Sequence, residues 1–318
     1  MSNNKVRPKK LNDFLGQPHI VEQVTIAVKA CVAQDQPFPH MAMGGPPGLG
    51  KTTLASIIAN ELDGVIVSRI ASAITKPEDL LSLFAEIKQL NTIIFLDEIE
   101  QLDRKLTELL HTALEDGVFS AKLSNGKSVN INLPEFTLMG ATNYLGELPR
   151  PFLDRFRIQV NFEPYSHDEI YKIVVGAVRK LRYKATEDAA KEISVRSRGV
   201  PRIAIRYLEN ADDVSVALEK YNNVITRDCV LKMFKIHRID NRGLTDLDRR
   251  ILAYLRESEK PVGLKTLSQG VDEDDSTVEL SEGYLVRSGL VTKGARGRSI
   301  TERGIQHLKE VEECTSAS

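Results

Sequence analysis

Gly45-Pro46-Pro47-Gly48-Leu49-Gly50-Lys51-Thr52 fits the phosphate-loop pattern G-x-x-x-x-G-K-[ST] in full. Glycines at these places let the backbone bend until its N–H groups converge on phosphate oxygens, and the helix that follows adds the positive end of its dipole. Lys51 is then expected to reach the β- and γ-phosphates, and the Thr52 hydroxyl to bind Mg²⁺. A second group is Ile93-Ile94-Phe95-Leu96-Asp97-Glu98, an apolar run that ends in two carboxylates. At the carboxyl end of a buried strand, where such sheets bind ligands, Asp97 is placed to hold Mg²⁺ through water and Glu98 to orient or deprotonate an attacking water. Paired carboxylates at a strand end are commonly just solvated. Beside a complete phosphate loop, the catalytic reading outweighs that one.

Three further residues have two readings each. Asn143 ends another apolar run, 136–142, so its amide either holds the lytic water or γ-phosphate or is an ordinary turn residue. Arg155, in Phe152-Leu153-Asp154-Arg155-Phe156, and Arg202, in Gly199-Val200-Pro201-Arg202, are not assigned by spacing, and a surface salt bridge is the ordinary role of such arginines. Near the end of the chain Arg296 and Arg298 alternate with glycines. That pattern suits either close approach to a nucleic-acid backbone or a plain basic turn.

Alternating strands and helices are expected to position these groups. Ile20, Val24, Ala27, Val28 and Cys31 give helical spacing within 11–36. Strands are expected at 40–43, 65–70, 92–96 and 136–142, with helices at 52–62, 77–90 and 102–114. The implied class is α/β, with a parallel sheet. Ser124-Asn125-Gly126 between two alternating runs, 118–123 and 127–133, signals a hairpin that projects from the domain. After Pro164 the pattern is helical, at 167–182, 187–198 and 202–220, and Ser166 with Glu169 forms a capping box. This gives an α/β domain over 1–164 with an inserted hairpin at 117–134, a helical domain over 165–238, a linker at 238–243, and a third unit over 243–312 with a frayed polar tail.

A formal net charge of −1 over 318 residues excludes a protein basic on every face, so any nucleic-acid surface must be local. Cys31, Cys229 and Cys314 are far apart and form no CxxC pair, which argues against a disulfide framework or a zinc site. The N-terminal MSNNKVRPKK lacks an apolar stretch behind its charges, and no run is long and apolar enough to span a bilayer. A soluble, cytoplasmic protein is expected.

Arg7-Pro8, Phe14-Leu15-Gly16-Gln17, GPPGLGKTTLA, LDEIE, FTLMGATN, RSRGVPRIAIR and PVGL…GARGRSIT together resemble the RuvB family, the AAA+ ATPases that drive Holliday-junction branch migration. The likeness runs from about Arg7 to Leu308. It implies an AAA+ ATPase domain, a helical lid and a winged-helix domain, assembled as a hexameric ring that translocates duplex DNA, the arms of a four-way junction, with ATP and Mg²⁺ bound at subunit boundaries. By resemblance Arg7, Pro8, Gly45, Gly48, Leu49, Gly50, Lys51, Thr52, Thr53, Tyr165, Pro201 and Arg202 bind nucleotide. Arg155 matches the arginine finger offered to a neighbouring subunit, Arg202 the lid arginine called sensor 2, Asn143 the sensor 1 position, and Arg296, ahead of Arg298, the DNA contact. The chain departs from the family pattern at Glu100, where His is usual, at Asn143 (Thr), Leu153 (Arg) and Val200 (Thr), and in a hairpin about three residues shorter. That hairpin meets RuvA, the junction-binding partner, in the family, so the departure weakens the expectation of a RuvA-type partner. A loader or switch that remodels a protein on DNA without moving along it is the competing reading.

Overall fold

The computed structural model describes residues 3–258 and 260–316; the side chains of residues 3–4 and 314–316, Cys314 among them, lie outside the description. Two compact units are present. One holds the described residues up to Leu181 together with Val200–Arg202, and the other holds Arg182–Gly199 and the described residues from Ile203 onward.

The first unit runs α1 (Asn3–Val6), α2 (Pro18–Gln34), β1 (Met41–Gly44), α3 (Lys51–Glu61), β2 (Val65–Ile70), α4 (Pro77–Phe84), β3 (Thr92–Asp97), α5 (Arg104–Asp116), β4 (Val118–Lys122), β5 (Ser128–Asn132), β6 (Thr137–Ala141), α6 (Arg150–Leu153), β7 (Ile158–Asn161) and α7 (His167–Leu181). Five strands form a parallel sheet in the order β2-β3-β6-β1-β7. Met41, Ala42 and Met43 of β1 and Ile93 to Leu96 of β3 are fully buried, as the inner strands of a parallel sheet covered on both faces must be. Leu80, Leu83, Phe84, Leu106 and Leu110 of α4 and α5 join Ile94, Leu96 and Leu138 in one apolar cluster.

Several boundaries differ from the sequence expectations for physical reasons. The first long helix starts only at Pro18, because Gly16 and Gln17 take left-handed backbone angles and Pro18 fits the first helical position. Helix α4 stops at Phe84, and the next residues tighten into bonds such as Ile87 N to Phe84 O at 3.1 Å. Ile87 therefore stays buried, in phase with the helix before it, without belonging to it. Strand β7 has no expected counterpart because it is a four-residue edge strand with only Ile158 and Val160 inward. The hairpin β4–β5 exists, but it does not project freely. Phe119 at its root is fully buried and meets the Phe84 ring at 5.4 Å, and at its tip Ser124 N donates to Glu78 Oε1 on α4 at 2.5 Å.

The second unit contains α8 (Glu187–Arg196), α9 (Pro201–Ala217, whose first two residues count with the first unit), α10 (Arg227–Ile236), α11 (Asp246–Glu257), α12 (Leu264–Gly270), α13 (Asp275–Arg287), β8 (Val291–Gly294), β9 (Gly297–Ile300) and α14 (Glu302–Ser316). Thr186, Thr226, Thr245 and Asp274 cap α8, α10, α11 and α13 through their side-chain oxygens. Leu244, Ile251, Leu252, Leu255, Leu267 and Leu285 build a separate core for the C-terminal elements. The stretch between α10 and α11 is tied down rather than loose. Arg196 Nη1 donates to Asp240 O at 3.2 Å, Arg198 Nε donates to Gly243 O at 2.8 Å, and Arg198 pairs with Asp248 at 2.5 Å. The Arg198 guanidinium lies 4.7 Å from the centre of the Tyr284 ring, and His307 Nε2 meets Asp240 Oδ2 at 2.8 Å. The tail expected to fray continues α14 as far as Ser316; residues 317–318 lie outside the description.

His40, just before β1, accepts a hydrogen bond from Leu138 N at 2.9 Å, and burial pulls its pKa down to about 4. A histidine kept neutral in the fold supplies stability that is fully present above its unfolded value of about 6.5 and is lost as pH falls towards 4. Urea unfolding of the full chain is expected to lose about 1.4 kcal/mol per pH unit in that window, and His40→Asn is expected to flatten the slope. Phe119→Ala removes a fully buried ring and is expected to cost about 3–5 kcal/mol, read as a lower midpoint in the same experiment.

Candidate nucleotide site and basic wing

Three loops leave the same edge of the sheet. The loop after β1 begins at Gly45, whose N–H donates to Asn143 O at 3.2 Å, and Thr142 N donates to Met43 O at 2.9 Å. Gly45, Gly48 and Gly50 have φ of 119°, 83° and 111°, which side chains rarely adopt. A Cβ on Gly45 would stand 2.5 Å from Phe162 O, and one on Gly48 would stand 2.9 Å from Val200 Cγ1 and 3.0 Å from Arg202 Cβ. The loop is thus a tight cradle, floored by Phe162 and flanked by the start of α9. The peptide N–H of Arg202 reaches Gly48 O at 3.4 Å, while the residue itself is exposed.

Lys51 opens α3 and is 8% exposed. Its ammonium is bonded to Gly45 O and Pro46 O, carbonyls of its own loop. Burial holds the Lys51 pKa below the ordinary lysine value; Asp97 and then Glu100 work against that, and Arg202 adds to it. A cation kept in place by two carbonyls and spared a fixed carboxylate partner is free to turn to phosphate. Thr52 and Thr53 follow on the first turn of α3, half-buried. Asp97 is half-buried at the end of β3, with Oδ1 accepting from Glu98 N at 3.2 Å. Glu98 is exposed and has a left-handed φ of 54°, a conformation that costs a non-glycine residue about 1 kcal/mol or more and is characteristic of working sites.

Tyr165 is buried, and its hydroxyl donates to Leu49 O at 3.0 Å. Burial first, then the Glu169 charge, pushes its pKa up. Its ring presses on Gly16, where a Cβ would come within 2.4 Å. Phe14 backs Gly50 from the same side, at 3.1 Å from a Cβ placed there. Arg7 is exposed and Pro8 half-buried, on a segment fixed by Lys180 Nζ to Val6 O at 3.0 Å and by Leu11 N to Glu61 Oε1 at 3.0 Å. Nothing in the sequence singles out Phe162 and Phe14 as loop supports; only their backing of glycines that tolerate no Cβ reveals that role.

Arg155, between α6 and β7, turns its side chain onto α5 instead. Its Nε donates to His111 Nε2 at 3.0 Å and its Nη2 pairs with Glu115 Oε1 at 2.6 Å. The two side chains of the ion pair are 36% and 43% exposed. Such a pair is worth about 0–1 kcal/mol, so little holds the guanidinium back from another anion.

In the second unit, β8 and β9 form the basic hairpin, with Arg296 exposed in the turn between them. Arg298 corrects the sequence expectation. Its side chain is 10% exposed and its Nε donates to Glu282 Oε2 at 2.8 Å, while Lys293 meets the other Glu282 oxygen at 2.9 Å. Its backbone pairs with Val262, and Gly297 beside it lies so close to Val262 that a Cβ would stand 2.5 Å from the carbonyl oxygen. Arg298 is committed inward because a buried carboxylate on α13 needs it. Alternating Arg and Gly in the sequence gives no hint of which arginine faces in.

Three family models cover the chain in succession: the Holliday junction DNA helicase RuvB P-loop domain over residues 6–162, the RuvB AAA lid domain over 165–240 and the RuvB C-terminal winged helix domain over 241–309. The Holliday junction branch migration complex subunit RuvB of Ehrlichia chaffeensis is 37% identical over 98% of this chain and 95% of its own. The chain belongs to the RuvB family. The RuvB of Fusobacterium nucleatum is 38% identical over 96% of this chain and 93% of its own. The solved Thermotoga maritima RuvB, a Holliday junction branch migration motor, superimposes with a TM-score of 0.87 at 33% identity, over 96% of this chain and 98% of that one. As a RuvB-family member, this chain is a nucleotide-binding P-loop ATPase of the AAA+ class with a lid and a winged helix. No helix among the described residues is long and apolar enough to cross a membrane.

Removing one partner of a buried ion pair costs about 3–5 kcal/mol. Arg298→Ala is therefore expected to lower the unfolding midpoint, whereas Arg296→Ala leaves it unchanged. Arg296→Ala is instead expected to weaken duplex DNA binding and to reduce the slope of log K against log salt by about 0.9, one phosphate's share. An unaltered slope would remove Arg296 from the DNA surface.

Proposed function

We propose that this RuvB-family chain is an ATP-driven DNA motor that moves Holliday junctions by translocating duplex arms through a ring of six copies. The reading rests on one observation above others: similarity to named branch-migration subunits extends without a break across the phosphate-loop domain, the lid and the winged helix. The division is accordingly an ATPase domain, a lid of helices after Pro164 and a DNA-binding winged helix from about residue 243.

In this proposal the triphosphate lies in the cradle from Gly45 to Thr53, beside Arg7, Pro8 and Tyr165, with Pro201 and Arg202 closing on it from the lid side. The donor set fits a magnesium triphosphate: a cradle of left-handed glycines with no room for a Cβ, one displaceable ammonium, one hydroxyl and one strand-end carboxylate. Mg²⁺, when bound, neutralises phosphate charge; Thr52 would ligate it directly and Asp97 through water. Glu98, exposed and already turned out by its left-handed backbone, orients the attacking water, and Asn143 helps hold that water. Arg155 leaves Glu115 to reach the site of the adjoining copy. Leaving forfeits the exposed ion pair, about 0–1 kcal/mol, and the hydrogen bond to His111; an arginine finger repays this in the transition state, where about 10³–10⁵ in rate is gained. A RuvA-type protein at the β4–β5 hairpin would meet exposed Lys122, Asn125, Lys127 and Asn130.

Lys51→Ala is expected to abolish nucleotide binding, and Glu98→Gln to retain ATP without turning it over. Arg155→Ala is expected to bind ATP nearly normally and to hydrolyse it about 10³-fold more slowly. Mixing the Arg155→Ala and Lys51→Ala proteins should restore part of the activity, because each supplies what the other's boundary lacks. Full turnover by Arg155→Ala alone would sink the shared-site reading. Steady-state ATPase measured with and without duplex DNA, each with and without a RuvA-type protein, tests the motor itself. Activity indifferent to DNA and raised only by the protein would transfer the chain to the loader class.

A further inference from the structure

Four side-chain atoms among the described residues are buried without a hydrogen-bond partner: Glu78 Oε2, Glu100 Oε2, Asp248 Oδ1 and His307 Nδ1. Three of these belong to side chains held through another atom, by Ser124 N, by Arg198 and by Asp240 respectively. Glu100 has no such anchor among the described residues. A carboxylate oxygen removed from water and given no donor costs about 1–3 kcal/mol or more, and in native proteins such an oxygen is commonly met by a bound water or ion.

The position of Glu100 narrows the choice of donor. It lies on the single turn Ile99–Gln101 that follows β3, three residues beyond Asp97. Ile99 locks that turn over β6, since a Cβ on Gly140 would stand 2.7 Å from Ile99 Cδ1. Glu100 as a whole is half-buried, like Asp97, while its Oε2 is closed off from solvent. Lys51 does not satisfy the orphan oxygen, because its hydrogen bonds go to Gly45 O and Pro46 O. Among the described residues no three acidic, histidine or cysteine side chains converge to hold a metal unaided, so a cation at this edge comes with the nucleotide and keeps several waters. Those polarised waters are strong donors, and an ionised carboxylate is an acceptor only.

We propose that Glu100 is a positioning residue that accepts a hydrogen bond from a water bound to the nucleotide's magnesium and so orients the hydrated metal beside Asp97. The proposal rests on the nucleotide-site reading above. Glu100 touches neither phosphate nor the attacking water. Its contribution is to metal retention, and groups of this kind typically change metal affinity by about 10–100-fold.

The test uses the full-length chain with a non-hydrolysable ATP analogue. Affinity for the analogue is measured in EDTA and in Mg²⁺, and Mn²⁺ affinity at saturating analogue is measured by electron paramagnetic resonance, for wild type, Glu100→Gln and Glu100→Ala. In EDTA both variants are expected to bind the analogue within about twofold of wild type, or tighter because a negative charge is gone. Mn²⁺ affinity is expected to fall about tenfold in Glu100→Gln and further in Glu100→Ala. If the alanine variant does not fold, the isosteric glutamine variant decides. Mn²⁺ affinity equal to wild type in the folded variants overturns the proposal, as does an equal loss with and without metal, which would make Glu100 a support for Lys51 or the loop. A wild-type protein whose analogue binding ignores Mg²⁺ would fail the nucleotide-site reading instead, so the two failures are distinguishable.

Discussion

Three backbone hydrogen bonds where the sheet ends set the terms for everything around them. Thr142 N to Met43 O, Gly45 N to Asn143 O and Phe162 N to Gly44 O stitch the exits of β6, β1 and β7 together before any loop has left. The phosphate loop must therefore turn at once, over a carbonyl that leaves no room for a Cβ at Gly45. The Asn143 backbone is held next to that turn by the same bonds. Unpaired polar backbone in so buried a place would cost as much as a lost hydrogen bond for each group. The register of the strands and the shape of the loop are thus one constraint, and the placement of Lys51 and of the Asn143 backbone hangs from it.

This explains which parts of the molecule the sequence announces. A loop that demands left-handed glycines, a lysine and a hydroxyl at fixed spacing has almost no freedom of composition, so Gly45 to Thr52 is readable without coordinates. Buried inner strands are readable for a similar reason: β3 is apolar at every position from Ile93 to Leu96 because both of its faces are covered. Edge strand β7 and the tight turns after α4 have no such signature, because their residues satisfy two patterns equally well. Least readable are the partners of charged groups. Arg155 and Arg298 look alike in sequence, and only tertiary structure makes one half-exposed beside Glu115 and the other buried against Glu282. The hairpin shows the same limit. Its turn is plain from Ser124-Asn125-Gly126, yet Phe119 and the Ser124–Glu78 bond lay it along α4, and no local pattern encodes that.

Charge at the nucleotide edge is arranged by degree of restraint. Lys51 is held by neutral carbonyls, Arg202 is exposed, Glu98 is turned outward, and Glu100 has a buried oxygen without a donor. None of these is locked in an ion pair with another among the described residues. A site built to receive a highly charged ligand gains from this, because internal pairs would have to be broken first and their desolvation borne twice. The strong internal pairs are found elsewhere, at Arg198–Asp248 and Arg298–Glu282.

The buried contacts of Arg196 and Arg198 carry a mechanical consequence. Arg196 grips the backbone at Asp240, Arg198 grips Gly243 and Asp248, and His307 braces Asp240 from α14. Helix α8 and the C-terminal helices are thereby welded into a single lever, with no slack at the segment that sequence alone would call a tether. Only Gly199, Val200 and Pro201 separate Arg198 from Arg202. Proline fixes φ at one end of that short span, and a left-handed glycine stands at the other.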